Sequence, residues 1–179
     1  MMKIRKATPR VLDGLMAVID EARGAIAALG INQWLDGYPQ KEIIAFDIER
    51  GVSFCIENTE TGEVVSTFAV FSDGEVLYDR IFDGAWRTGD SLSENKENVC
   101  YTAIHRVAIS VKARGSGLSG AIIDFVRNIA IEKNKISLRI DTHEGNVVMR
   151  RMLEKNGFVH CGTILLENGD PRVAYEKLI

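Results

Sequence analysis

Val107-Ala108-Ile109-Ser110-Val111-Lys112-Ala113-Arg114-Gly115-Ser116-Gly117-Leu118-Ser119-Gly120 is a strand, a basic glycine-rich turn and the start of a helix. Apolar β-branched residues alternate at 107, 109 and 111, the period of a strand with one buried face. After the glycines, Leu118, Ala121, Ile122, Phe125, Val126, Ile129 and Ala130 recur at helical spacing. This arrangement suits phosphate. Glycines let backbone approach a ligand, the first helical N–H groups point outward, and the helix dipole favours an anion there. Arg114 at the lip of the turn adds charge-assisted hydrogen bonding. The same glycines also suit an ordinary tight β–α turn with no ligand.

Gly115-x-Gly117-x-x-Gly120 satisfies the dinucleotide-binding pattern, and Asp141 closes the next strand near the place of a ribose-binding acid. The surroundings argue against it. A doubly wound sheet needs further β–α units, yet fewer than 40 residues follow Asp141 in the 179-residue chain. They include an antiparallel hairpin signal, Asn168-Gly169-Asp170-Pro171. Lys112-Ala113-Arg114 also separates the strand from its first glycine. No Gly-Lys-Ser/Thr occurs, so a nucleoside-triphosphate loop is excluded.

Arg114-Gly115-Ser116-Gly117-Leu118-Ser119 resembles the pyrophosphate loop of the GNAT-type N-acetyltransferases, Arg/Gln-x-x-Gly-x-Gly/Ala, with Ser119 in the last small position. Asn146 through Glu154-Lys155-Asn156-Gly157-Phe158 resembles that family's later motif, an Asn followed by a helix ending in Glu-Lys-x-Gly-Phe. The two occur in the family's order. The resemblance implies an α/β (α+β) fold: a mixed, mostly antiparallel central sheet with helices on both faces, the acyl-CoA N-acyltransferase fold.

Composition bounds the alternatives. The length suits one domain over residues 1–179, and 46% hydrophobic with 26% charged residues is ordinary for a soluble globular protein. A net charge of −3 with no sustained basic run argues against a nucleic-acid partner. Cys55, Cys100 and Cys161 are scattered without metal-ligand spacing, which predicts free thiols in a cytoplasmic protein and no metal. Neither a signal peptide nor an 18-residue apolar run is present, so no membrane partner is expected. Nothing fixes the oligomeric state, and a homodimer is compatible with the sequence.

The expected order is β-α-α-β-β-β-α-β-α-β-β. A first strand runs over Lys3 to Ala7, and Thr8-Pro9 signals a helix marked by Val11, Leu12, Leu15, Met16, Ile19, Ala22 and Ile26 and stopped by Gly30. A turn-rich segment, 31–39, leads to a short helix near Lys41 to Arg50. Strands at Val52 to Glu57 and Val64 to Phe71 flank a hairpin turn. Residues 72–98 lose regularity, as lids or disordered connections do. Strand Tyr101 to Val111, a helix to Lys133-Asn134, a strand 136–142, a helix 146–156 and a closing hairpin (158–166, 172–178) complete the chain.

Acetyl transfer needs an anchored pyrophosphate, a polarised thioester and an uncharged amine. Anchoring falls to Arg114, Gly115, Ser116, Gly117, Leu118, Ser119 and Gly120. The resemblance implies pantetheine and carbonyl contacts along the backbone of Val107, Ala108 and Ile109, where the family's strand bulges away from its neighbour. It also implies an Asn146 contact to the pantetheine arm, although Asn146 equally suits a helix cap. Trp34 and Tyr38 lie where the family overhangs its acceptor, and otherwise are core-packing rings. The family's usual acid, a Tyr directly before Glu-Lys, is replaced by Leu153, leaving Tyr175, Tyr101, His143 or water for that role.

For the base, some relatives use a strand Glu about where this chain has Ala103. Alternation puts Tyr101, Ala103, His105 and Val107 on one face, making His105 the leading base because imidazole titrates near neutrality. A structural His105 in the sheet is the alternative. His143 follows the strand end as second choice, and His160 is expected to be structural.

The sequence therefore predicts an acetyl-CoA-dependent N-acetyltransferase acting on a small-molecule or peptide amine by direct attack in a ternary complex. Leu153 and the missing strand Glu keep open a coenzyme A-binding module without turnover. A nicotinamide oxidoreductase rests on the glycines and Asp141 alone.

Overall fold

The computed structural model describes residues 1–179, the side chain of Glu97 excepted. Its elements are β1 (Met2–Lys6), α1 (Leu12–Ala27), α2 (Lys41–Glu49), β2 (Ser53–Asn58), β3 (Val64–Phe71), β4 (Tyr101–Ile109), α3 (Leu118–Glu132), β5 (Ser137–Thr142), α4 (Val147–Lys155), β6 (Val159–Leu165) and β7 (Pro171–Leu178). The order is the expected one. All seven strands form one sheet, β1-β2-β3-β4-β5-β7-β6. β4 and β5 run parallel, whereas β1–β2, β2–β3, β5–β7 and β7–β6 are antiparallel. This is the mixed, mostly antiparallel sheet that the sequence predicts.

The chain divides into two compact units, residues 1–70 with 106–122, and residues 71–105 with 123–179. In the first, α1 buries Leu15, Ile19 and Ile26 of the expected helical stripe, together with Val18, which lies outside it. Leu15, Val18 and Ile19 pack with Ile44 and Ile48 of α2, and with Cys55, Val64 and Ala108. Gly14 permits the close approach of α1 to β3, since a Cβ there would lie 3.1 Å from Val64 Cγ2. The entry to α1 departs from expectation. Thr8 is extended but makes no side-chain capping bond, and Pro9 opens a 3-10 turn, Pro9–Val11, before the α-helix begins.

In the second unit, β7 pairs with β5 on one side and β6 on the other. The irregular 72–100 connection is held by this sheet. Phe82 exchanges two 2.8 Å backbone hydrogen bonds with Thr163, and Ala85 N–H donates to the Cys161 carbonyl at 3.0 Å. Gly84 must be glycine, because a Cβ would overlap the Cys161 carbonyl. Glu176, fully buried on β7, accepts from the backbone N–H groups of Arg87 and Thr88 and from the hydroxyls of Thr88 and Ser137. Its ion-pair partner is Arg139 on β5, whose Nε is 3.0 Å away. The Arg139 guanidinium lies between the rings of Trp86 and Tyr101, 4.2 and 4.1 Å from their centroids. A buried charge is tolerated only when paired and bonded in this way.

Candidate active site

The glycine turn comes first. β4 leaves through a 3-10 turn, Val111–Ala113, then an extended Arg114, and α3 starts at Leu118. Gly115 and Gly117 have φ of +77° and +81°, conformations open to glycine at little strain. A Cβ at either would meet nothing within 4 Å, so both faces are clear for a ligand. Arg114, Gly115, Ser116 and Gly117 are exposed, Leu118 is buried beneath them, and Ser119 and Gly120 are half-buried. The Ser116 hydroxyl donates to the Ala113 carbonyl at 2.5 Å, which rounds the turn.

Behind the turn, Glu21 of α1 accepts from Ser110 Oγ at 2.9 Å and from Val111 N–H at 2.8 Å. These bonds, the Val111 N–H first, hold the Glu21 carboxyl below the usual carboxylate range. The end of β4 is thereby fastened to α1. Ala108 is buried in the core, and its carbonyl accepts from Ser66 Oγ at 2.8 Å, whereas Val107 and Ile109 are half-buried.

β4 carries a break in regular geometry that the sequence does not announce. Arg106 has φ of +55° inside the strand. A non-glycine residue there is uncommon and marks a bulge-like irregularity. The strict alternation expected from Tyr101 through Val107 is therefore interrupted after His105. On the other side, the β4–β5 ladder covers Tyr101↔Ser137 to Ala103↔Arg139, although β4 continues to Ile109 and β5 to Thr142. Among the described residues, the paired register of β4 and β5 lies at the beginnings of the two strands.

Just past that last pair stands a cluster of titratable side chains. His105 Nε2 lies 3.0 Å from Glu75 Oε2. The pair is at ion-pair distance without hydrogen-bond alignment, so its interaction is electrostatic. Phe71 packs edge-on against the imidazole, and Tyr78 stacks on it at 5.8 Å between centroids and 30° between planes. The Tyr78 hydroxyl donates to Asp141 Oδ1 at 2.7 Å. Burial pushes that hydroxyl well above the usual tyrosine range, and the Asp141 charge adds to the shift. Tyr101 is fully buried, accepts from Glu75 N–H at 2.8 Å, and is pushed up to about 12, mainly by burial.

The other expected residues have the following partners. Tyr175, fully buried on β7, accepts from Arg150 Nε at 3.0 Å and donates to Glu154 at 3.2 Å, fastening α4 to the sheet. His160 packs edge-on against Tyr175. His143 Nδ1 accepts from Gly145 N–H at 3.0 Å in the turn after β5. Asn146 caps α4, accepting from Met149 N–H at 3.2 Å. Leu153 is fully buried. Trp34 and Tyr38 are half-buried with centroids 6.5 Å apart, Trp34 packing against the core and Tyr38 facing Arg106 at 5.8 Å.

Glu75 and Tyr78 were not among the residues that the sequence singles out. They sit in the irregular connection, and only the fold brings them to His105. In the sequence Asp141 stands out only as a ribose-binding acid of the dinucleotide pattern. Its partner is Tyr78, 63 residues away. Among the described residues, no group of three or more His, Cys, Asp or Glu could hold a metal ion, and no helix is long and apolar enough to cross a membrane.

Residues 25–158 match the sequence model of the acetyltransferase (GNAT) family. A GNAT-family acetyltransferase of Streptococcus agalactiae is similar over 99% of this chain and 95% of its own, with 35% identity and a TM-score of 0.82. A GNAT-family acetyltransferase of Listeria monocytogenes has 22% identity and a TM-score of 0.70 over 99% and 95% of the two chains. The PaiA N-acetyltransferase of Thermoplasma acidophilum, solved in complex with coenzyme A, has 15% identity and a TM-score of 0.72 over 100% and 99%. These last two likenesses speak for the fold alone. A search of curated proteins gives no match. With the family model spanning most of the chain and a relative above 30% identity aligned from end to end, the protein belongs to the GNAT acetyltransferase family.

Proposed function

We propose that this chain, read as one acetyltransferase domain over residues 1–179, moves an acetyl group from acetyl-CoA to the amine of a small molecule or peptide in a ternary complex. The observation that carries this reading is the exposed, unobstructed Gly115–Gly117 turn opening α3, directly downstream of a strand interrupted at Arg106. The turn's N–H groups and Arg114 receive the pyrophosphate. The backbone of Val107, Ala108 and Ile109 takes the pantetheine arm and the thioester carbonyl, with Asn146 alongside. A preorganised N–H facing the developing oxyanion contributes about 3–4 kcal/mol of transition-state stabilisation.

The acceptor arrives as an ammonium ion and must lose a proton before it attacks. His105 takes that proton directly or through water, and Glu75 stabilises the resulting imidazolium at 3.0 Å. The amine nitrogen bonds to the carbonyl carbon and gives up a second proton to solvent, the carbon–sulfur bond breaks, and coenzyme A leaves as a thiolate. We assign its protonation to Tyr175, Tyr101, His143 or water; the Tyr175 hydroxyl is held by Arg150 and Glu154, and His143 Nδ1 by the Gly145 N–H. Trp34 and Tyr38 line the acceptor side. A cytoplasmic location fits the free Cys55, Cys100 and Cys161.

The buried Leu153 favours one second reading, a coenzyme A-binding module without turnover. Incubating the pure protein with acetyl-CoA and an amine panel, and following free thiol, separates the two. Amine-dependent thiol release supports the transferase. Coenzyme binding with no release across the panel supports the module.

A further inference from the structure

Val107, Ala108 and Ile109 of β4 are strung between two carboxylates. On the upstream side, the buried Asp47 of α2 has its Oδ2 2.9 Å from Nη1 of Arg106, the residue with φ of +55°. Tyr38 covers the same guanidinium at 5.8 Å, and Arg23 of α1 holds Tyr38 in turn, donating to its carbonyl at 3.3 Å and to that of Pro39 at 2.7 Å. On the downstream side, Glu21 of α1 accepts from Ser110 Oγ at 2.9 Å and from Val111 N–H at 2.8 Å. Between the two, the Ala108 carbonyl accepts from Ser66 Oγ, and Ser110 N–H donates to the Val65 carbonyl, both at 2.8 Å. A left-handed arginine persists only while its partners hold it. Both carboxylates carry the wrong sign for contact with an anionic ligand. Their bonds go to the strand instead.

We propose that Asp47 and Glu21 are positioning residues for coenzyme A: Asp47 acts through Arg106, Glu21 acts through Ser110 and Val111, and together they keep the 107–109 backbone in the shape that receives the coenzyme. This rests on the reading of β4 as the coenzyme strand and is independent of the base and the acceptor. A strand already in its bound shape spends no binding energy on being ordered. The sign of the effect separates positioning from bulk electrostatics. Removing a negative charge tightens the binding of an anion through the long-range field, whereas removing a positioning carboxylate weakens it.

The test is calorimetric titration with coenzyme A of wild type, Asp47→Asn, Glu21→Ala, Arg106→Gly and the Asp47→Asn, Arg106→Gly double variant. Ile164→Ala, fully buried on β6 in the second unit, controls for lost stability alone. Asp47→Asn should raise Kd about five- to thirtyfold, the cost of returning a relaxed Arg106 to its left-handed conformation. Glu21→Ala should raise it about two- to tenfold, and this exposed site on α1 keeps the test decisive where Asp47→Asn does not fold. In the Arg106→Gly background Asp47→Asn should add nothing, because the guanidinium it acts through is gone. Ile164→Ala should bind as wild type does. Unchanged or tighter binding in either carboxylate variant, an equal loss in Ile164→Ala, or a full further loss from Asp47→Asn in the glycine background overturns this inference alone. No binding of coenzyme A by wild type overturns the coenzyme reading and this inference with it.

Discussion

Arg106 Nη1 lies 2.9 Å from Asp47 Oδ2, and this ion pair ties a left-handed residue of β4 to a buried carboxylate on α2. The Arg106 guanidinium also faces the Tyr38 ring at 5.8 Å. A left-handed conformation costs a non-glycine residue about 1–2 kcal/mol and persists only where its surroundings over-determine it. Here the surroundings are Asp47 and Tyr38. The irregularity in β4 is thus maintained by side chains rather than by a glycine.

Arg106→Ala and Arg106→Gly should therefore differ. Both leave the buried Asp47 without this partner and should destabilise the fold by about 3 kcal/mol or more. The glycine variant should recover about 1 kcal/mol of that loss, because φ of +55° no longer strains it. Urea unfolding of both variants measures the difference. Equal stabilities would mean that the strand at Arg106 relaxes when the side chain is lost.

Gly117→Asp should raise the KM for acetyl-CoA at least tenfold with little change in kcat. The added carboxylate enters space that is now open and repels a pyrophosphate. Its φ of +81° also strains any side chain, so a stability loss of about 1 kcal/mol should accompany it. Gly117→Ala provides the control, carrying the strain without the charge. If both variants raise KM equally, shape rather than charge governs the turn.

Glu176 gives the fold a pH dependence. Burial alone would raise its carboxyl, but hydrogen bonds from Ser137 and Thr88 and the Arg139 charge outweigh it and hold the group below its ordinary 4.5. A carboxyl depressed in the folded state contributes stability that is present above its unfolded value and lost as pH falls through the folded one. Wild-type stability should therefore decline on acidification through and below the ordinary glutamate range. Glu176→Gln should flatten that decline and cost about 3 kcal/mol at neutral pH by leaving Arg139 without a counter-charge. Thermal unfolding across an acidic pH series reads both effects. A Glu176→Gln profile parallel to that of wild type would assign the acid sensitivity to other groups.

His105→Ala should lower kcat by about 100-fold or more while leaving the KM for acetyl-CoA within about twofold, the pattern of a lost proton acceptor. It should also remove one ionisation from the acidic limb of the pH–rate profile. An unaltered profile would return His105 to a structural role between Phe71 and Tyr78.

The sequence reveals those parts of this protein that rest on local periodicity. Alternation, helical spacing and turn signals recover the seven strands and four α-helices, including β3, which is buried along its whole length. The glycine turn is legible for a similar reason, since its spacing is dictated by backbone geometry alone. Arg106 is not, because its left-handed φ depends on Asp47, 59 positions earlier and outside any motif. Glu75 and Tyr78 are hidden by the aperiodic 72–100 connection, whose order comes from Glu176, Thr163 and Cys161 on the closing hairpin. Tyr175 attracts notice as a phenol, yet its bonds to Arg150 and Glu154 become visible only once β7 packs against α4.

A crystal structure with coenzyme A bound tests the central claim most directly. The pyrophosphate should lie within hydrogen-bonding distance of the N–H groups between Gly115 and Gly120, with the sulfur beside the Val107–Ile109 backbone and on the His105 side. A pyrophosphate bound away from that turn, or a sulfur remote from β4, would contradict the account.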